Sequence, residues 1–244
     1  MTENLSAEYL KKLDDVKANY FEITENIARA AEKSGRKAED IAFLAATKTV
    51  ESEIINYAIS LGLKKIGENK VQELLSKYDE YDLEHCDLQM IGHLQTNKVK
   101  QIVGKVSMIQ SVDSVKLAQE ISKQSAKIDV TTDILIEVNI GREENKSGVL
   151  VENIDELLEK ASKMDNIKIK GLMCIPPICS NKSDVCKFFD NMYKLFIDIS
   201  DKKLDNICMD YLSMGMSDDY QEAISSGANM IRVGSRLFGA RIYR

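Results

Sequence analysis

Eight short apolar runs, each followed by a helical stretch, constrain this 244-residue chain more than any other feature. The runs lie at 41–47, 64–67, 87–94, 106–110, 133–140, 167–174, 207–213 and 230–233. The first, Ile-Ala-Phe-Leu-Ala-Ala-Thr, is apolar almost throughout, as a strand buried on both faces requires. Between the runs, apolar residues recur at helical spacing: Ile54, Ile55 and Ala58; Val115, Ala118 and Ile121; Ile154, Leu157, Leu158 and Ala161; Val185, Phe189, Met192 and Phe196. Gly62 closes the first of these helices, and Gly104 closes a further helix over 97–103. A long helix over 4–33, with Leu13, Val16, Tyr20, Ile23 and Ile27 on one face, precedes the first strand and stands outside the alternation. Eight strand–helix units of about 20 to 30 residues predict an α/β chain folded as one (β/α)8 barrel of the TIM type. The barrel carries an extra N-terminal helix and takes residues 1–244 as a single domain. An open doubly wound sheet is the rival. It wants fewer strands, or a glycine fingerprint after the first strand, and Lys48-Thr-Val-Glu is no such fingerprint.

Composition removes several classes of function. The 33 basic and 39 acidic residues leave a net charge of -6, which argues against broad nucleic-acid binding. There is no Trp to serve as a stacking platform. No apolar run approaches the roughly 20 residues that span a bilayer, so no membrane partner is expected. The polar start, Met-Thr-Glu-Asn, is no signal segment. Five cysteines (Cys86, Cys174, Cys179, Cys186 and Cys208) form no Cys-x-x-Cys pair and fit a reducing cytoplasm. With two histidines and no cysteine cluster, a metal site has no support.

A closed barrel brings the C-terminal ends of its strands to one face, where sites are built. The polar residues at those ends are Lys48, Asn69, His93, Glu137, Asn139, Ser213, Ser217, Arg232 and Ser235. After the seventh and eighth runs come Met214-Gly-Met-Ser217 and Gly234-Ser235. Glycines there let backbone amides approach a ligand, and each serine adds a hydroxyl. The pair reads as a phosphate cradle; the plainer reading makes Ser217 a helix N-cap and the glycines turn formers. Lys48, at the end of a buried strand, either lays its stem along the rim with its head in water or presents a desolvated amine that attacks an aldehyde. Phosphate and amine together suit a phosphosugar carbonyl or pyridoxal 5'-phosphate. Arg232, two residues before Gly234, faces the same side of its strand. There it either pairs with a carboxylate or sets a permanent cation against a pyridine nitrogen, holding that nitrogen unprotonated. The second arrangement favours pyridoxal phosphate over a sugar. His93 is a pocket partner or a packed histidine, and His85, in an acidic loop, is plain surface.

These stretches, in this order, resemble the pyridoxal phosphate homeostasis family, whose barrel is like the N-terminal domain of alanine racemase. The resemblance rests on Leu44-Ala-Ala-Thr-Lys48-Thr, Ile66-Gly-Glu-Asn69, Met90-Ile-Gly-His93-Leu-Gln-Thr-Asn-Lys98, Glu137-Val-Asn139, Gly171-Leu-Met173, Leu212-Ser-Met-Gly-Met-Ser217-Asp-Asp and Ile231-Arg-Val-Gly-Ser235-Arg-Leu-Phe-Gly239. It implies that Lys48 holds pyridoxal phosphate as an internal aldimine and that Arg232 faces the pyridine nitrogen. Ser217, Gly234 and Ser235 match the phosphate positions, and Asn69 and Met214 match pocket-lining ones. Ser235 stands where relatives frequently carry threonine, and either residue supplies the hydroxyl and the amide. The resemblance further implies a cytoplasmic monomer acting in vitamin B6 homeostasis, with apo forms of pyridoxal-phosphate enzymes as recipients. Alanine racemase needs a lysine and a tyrosine on opposite faces of its ligand, the tyrosine placed with the help of a second, β-rich domain. The sequence ends about ten residues past the cradle, so efficient racemisation is not expected. The alternatives are a weak pyridoxal-phosphate racemase or lyase, with His93 as the second acid or base, and a Schiff-base phosphosugar aldolase.

Overall fold

A computed structural model describes residues 7–239. Its strands, β1 (Ala42–Ala46), β2 (Lys65–Glu68), β3 (Asp87–Met90), β4 (Met108–Val112), β5 (Thr132–Val138), β6 (Ile167–Cys174), β7 (Ile207–Ser213) and β8 (Met230–Val233), form one closed barrel in sequence order. Every pairing is parallel, and β1 closes on β8 through Ala42↔Met230, Phe43↔Ile231, Leu44↔Arg232 and Ala45↔Val233. The helices are α1 (Ala7–Lys33), α2 (Ser52–Ser60), α3 (Val71–Lys77), α4 (Val99–Ile102), α5 (Val115–Lys127), α6 (Ile154–Ser162), α7 (Lys182–Asp201), α8 (Tyr220–Ser225) and α9 (Ser235–Phe238). The (β/α)8 barrel with its additional N-terminal helix is thus present as the alternation predicts. The first three residues of the 4–33 helix lie outside the described residues.

Alternation divides the apolar residues between two layers. The main core joins helix residues such as Ile23, Ile55, Phe189 and Ile224 to strand residues such as Ile66, Ile134 and Val233, between barrel and helices. A second cluster, Met108, Leu135 and Met173 with Tyr211, is made of strand residues alone and fills the lumen. α1 packs against α2, α8 and α9. It therefore covers the seam where the first and last strands meet.

Strand edges depart from the predicted runs for one recurring reason. The 87–94 run leaves the sheet after Met90 although Ile91 and Leu94 are still buried. The fourth strand begins at Met108, not 106, while Val106 is buried in the preceding loop. Burial continues into the flanking loops, so apolarity alone misplaces strand ends: 87–94 is cut short to 87–90, while 106–110 moves to 108–112 with its length unchanged.

Candidate functional site

The rim above β1, β2, β7 and β8 collects the residues singled out by the sequence. Thr47 leaves β1 with its N–H and its hydroxyl both on the carbonyl of Gly67, at 3.0 and 3.1 Å. Lys48 follows in a turn, half-buried, and Thr49 takes φ +64. Since Ala46 pairs with Gly67, the chain carries Lys48 over the rim toward Asn69, the first residue past β2. Asn69 is half-buried, and its Oδ1 is enclosed with no hydrogen-bond partner among the described residues. On the other side of β1, Gly234 lies so close that a Cβ there would fall 3.0 Å from the carbonyl oxygen of Ala46.

The two turns after β7 and β8 are joined through Ser217. Its Oγ accepts from the backbone N–H of Gly234 at 3.2 Å and of Arg236 at 3.3 Å. Two accepted bonds use both lone pairs of a hydroxyl and leave its proton to be donated. Ser217 is therefore not the cap of the following helix. That position is Asp219, whose carboxylate takes the Met216 N–H at 2.6 Å. Asp218 is exposed, so the carboxylates beside the cradle either face solvent or are tied to backbone. Gly215 sits at φ +91, and a Cβ would lie 2.5 Å from that of Ala223. Only glycine makes this turn between β7 and α8. Ser235 is exposed at the start of α9, and Met214, fully buried, packs in the main core behind the turn.

Arg232 points into the lumen and is 4% exposed. It donates to Ser213 Oγ at 2.6 Å and to the carbonyl of Cys174 at 2.8 Å. Both partners are neutral, and no carboxylate is hydrogen-bonded to it among the described residues. Ser213 in turn donates to Gln110 Oε1 at 2.7 Å, and Gln110 Nε2 donates to Gln89 Oε1 at 2.6 Å. One directed chain of buried hydrogen bonds thus crosses the lumen from β8 to β3 and fixes the guanidinium. Burial lowers the Arg232 pKa against the pull of nearby acids, yet so strong a base stays charged. Sequence reasoning passed over Gln89 and Gln110. The available signal was a glutamine inside runs otherwise buried on both faces.

Glu137, on β5, is a buried acid close to Arg232. It is 6% exposed, and its Oε2 has no partner among the described residues. Burial first, then the charge of Asp113, push its pKa up to about 7, with Arg232 opposing. Asn139 folds the 141–148 loop instead: its side chain donates to the Glu143 carbonyl at 2.9 Å and accepts from the Glu143 N–H at 3.0 Å. The His93 side chain is 56% exposed, 3.1 Å from Ser147 Oγ and 3.7 Å from Asp113. His85 contacts Asp82 on the surface, as expected. No group of His, Cys, Asp and Glu that could hold a metal occurs among the described residues. None of the described helices is long and apolar enough to cross a membrane.

Comparison with known proteins identifies the family. The family model for the N-terminal domain of alanine racemase matches residues 19–242. A pyridoxal phosphate homeostasis protein of Aquifex aeolicus is 44% identical over 91% of this chain and 96% of its own. An unknown protein from Bifidobacterium adolescentis is 30% identical, with a TM-score of 0.89 over 97% of this chain and 98% of that one. PipY of Synechococcus elongatus, solved with pyridoxal phosphate bound, is 27% identical, with a TM-score of 0.77 over 87% of this chain and all of that one. With the fold and these relatives in agreement, the chain belongs to the pyridoxal phosphate homeostasis proteins, a family built on the alanine racemase N-terminal domain.

Proposed function

We propose that this protein, as a single barrel domain, binds pyridoxal 5'-phosphate at the C-terminal rim of its strands and keeps it through Lys48. Its role is to hold and hand on the cofactor within vitamin B6 homeostasis, not to turn over amino acids efficiently. The observation that carries this reading is Ser217. Its lone pairs are taken by two backbone N–H groups, so its proton is directed to an acceptor, at a turn tied to Gly234, which lies against the end of the strand that leads to Lys48. An anion is the acceptor that suits two glycine-opened turns.

The other residues fit the same group. Gly234 and Ser235 continue the phosphate cradle, and Met214 backs it. Arg232, held by neutral acceptors, suits an unprotonated ring nitrogen. Asn69 offers its enclosed, unpartnered Oδ1 to the ring hydroxyl. When bound, pyridoxal phosphate supplies an aldehyde that condenses with an amine, losing water, and a ring that absorbs visible light. Lys48 supplies the amine. The relative solved with this cofactor supports the assignment. The proposal extends to a monomer in the cytoplasm that passes the cofactor to apo forms of pyridoxal-phosphate enzymes.

The absorption spectrum of the purified protein tests it. Incubation with pyridoxal phosphate is expected to give a yellow protein, and Lys48→Ala is expected to abolish the band. A colourless wild type after excess cofactor would overturn the reading.

A further inference from the structure

The turn that carries Lys48 is gripped from outside the barrel by a charged network that the cradle does not explain. Glu68, the last residue of β2, faces away from the lumen and is fully buried. Its Oε1 accepts from Thr47 Oγ1 at 2.8 Å, Lys77 Nζ at 2.9 Å and Tyr81 OH at 2.7 Å. Lys77 also donates to Glu73 Oε1 at 2.7 Å and to the carbonyl of Thr47 at 3.3 Å. Glu73 in turn accepts the backbone N–H of Thr49. The residues on both sides of Lys48 are thereby held: Thr47 by its hydroxyl and carbonyl, Thr49 by its N–H.

Two features separate this arrangement from ordinary packing. Thr49 holds a left-handed backbone, φ +64, which a threonine adopts only when its surroundings impose it. Glu73 holds the N–H of that residue. Then there is an ion triad of the fully buried Glu68 with the part-buried Lys77 and Glu73, where apolar side chains would fill the space with less desolvation. Glu68 Oε2 is left buried with no partner among the described residues. Tyr81 remains a neutral donor to Glu68, since burial and then the Glu68 charge raise its pKa.

We infer that Lys77, with Glu68 and Glu73, is a positioning device for Lys48. It fixes the two peptide units that flank the lysine, so that the amine meets the aldehyde carbon without searching. This inference rests on the reading of Lys48 given above. In the step concerned, the amine nitrogen bonds to the aldehyde carbon and the aldehyde oxygen leaves as water. The network touches neither partner; it sets the amine's place.

Borohydride trapping tests it, because hydride addition to the new carbon–nitrogen double bond leaves a stable pyridoxyl group on Lys48 that mass spectrometry counts. Trapping in Lys77→Met is expected to slow by about ten- to a hundredfold, the range that misplacement by an ångström commonly produces. Lys77→Arg should recover most of the rate. Glu73→Ala, which frees the Thr49 N–H and removes one acceptor of Lys77 while leaving Lys77 on Glu68, should slow trapping in the same direction and serves if Lys77→Met does not fold. Pyridoxine 5'-phosphate, which has the ring and phosphate but no aldehyde, should bind all three variants as it binds wild type. Unchanged trapping in Lys77→Met and Glu73→Ala overturns the inference. So does a parallel loss of pyridoxine phosphate binding, which marks a general structural role. Absence of any adduct on Lys48 in wild type instead overturns the underlying reading, and this inference with it.

Discussion

Glu137 shows what a single residue in the lumen does to the stability of the protein. Its carboxyl starts from an ordinary 4.5 and is pushed up to about 7 by burial and by Asp113, against Arg232. Below its ordinary value the group is protonated whether the chain is folded or not. Between the two values only the folded state keeps the proton. Rising pH therefore draws the equilibrium toward the unfolded state, and the loss is complete above about pH 7. The shift corresponds to about 3 kcal/mol. Glu137→Gln is expected to flatten the fall in urea stability between pH 5 and pH 8 by an amount of that order; parallel profiles for variant and wild type would refute the assignment. At this scale the sequence was legible where chemistry is conspicuous. A lysine closing an apolar run, an arginine within another and serines after glycines stand out. Gln89 and Gln110 did not, because a polar residue in a strand reads as facing water. Only a closed lumen turns it inward to hold Arg232 through Ser213. For Ser217, an N-cap was the local alternative, and the hydroxyl's actual partners lie 17 and 19 residues away.

Among the elements, α1 has the role least visible in the sequence. Its apolar stripe announces a packed helix but not its partner. That partner is the last part of the fold: Asn19 donates to the carbonyl of Leu237 at 3.1 Å, and Arg236 reaches Glu22 at 2.8 Å. Just beyond α1, Arg36 donates to the carbonyls of Ile224, Gly227 and Ala228. These lie at the C-terminal end of α8, where the last carbonyls of a helix lack intrahelical partners. A planar guanidinium suits three such acceptors, and it complements the negative end of the helix dipole. Arg36→Ala is expected to destabilise the protein by about 1–3 kcal/mol, the cost of leaving buried acceptors unmade. Arg36→Lys, with one point charge for three carbonyls, should recover only part of this in the same denaturation experiment. Wild-type stability in Arg36→Ala would show that water replaces the side chain fully. The pairing could not be read from the chain, because α1 and α8 stand nearly two hundred residues apart and no local signal links them.

At the scale of the whole molecule, the proposed ligand sits across the ladder with the fewest strand pairs among the described residues. β5 and β6 pair at six positions, whereas β7 and β8 share the single ladder pair Ser213↔Met230 among the described residues, supplemented by the Met214 N–H on the Met230 carbonyl at 3.1 Å and the Arg232 N–H on that of Gly215 at 3.0 Å. A ladder of one pair opens more readily than one of six, so sub-global opening should begin at this seam. Lys48 follows β1, Arg232 is on β8, and Ser217 follows β7. A molecule held by all three binds only when the seam is closed. Binding therefore adds its linkage free energy to the cost of opening there, about 2.7 kcal/mol at a hundredfold excess over the dissociation constant. In hydrogen exchange without ligand, amides of 212–217 and 230–236 should exchange faster than those of β5 and β6. Pyridoxal phosphate at that excess should slow them about a hundredfold, and Lys48→Ala should forfeit much of the effect by weakening the hold. Unchanged exchange at the seam in the presence of bound ligand would mean that the ligand does not bridge it. The alternation of strands and helices was enough to predict a closed barrel. Which ladder is thin was beyond its reach, since the number of pairs depends on register and on where Gly215 turns the chain away from the sheet. A site placed at that ladder makes the cofactor part of what closes the fold.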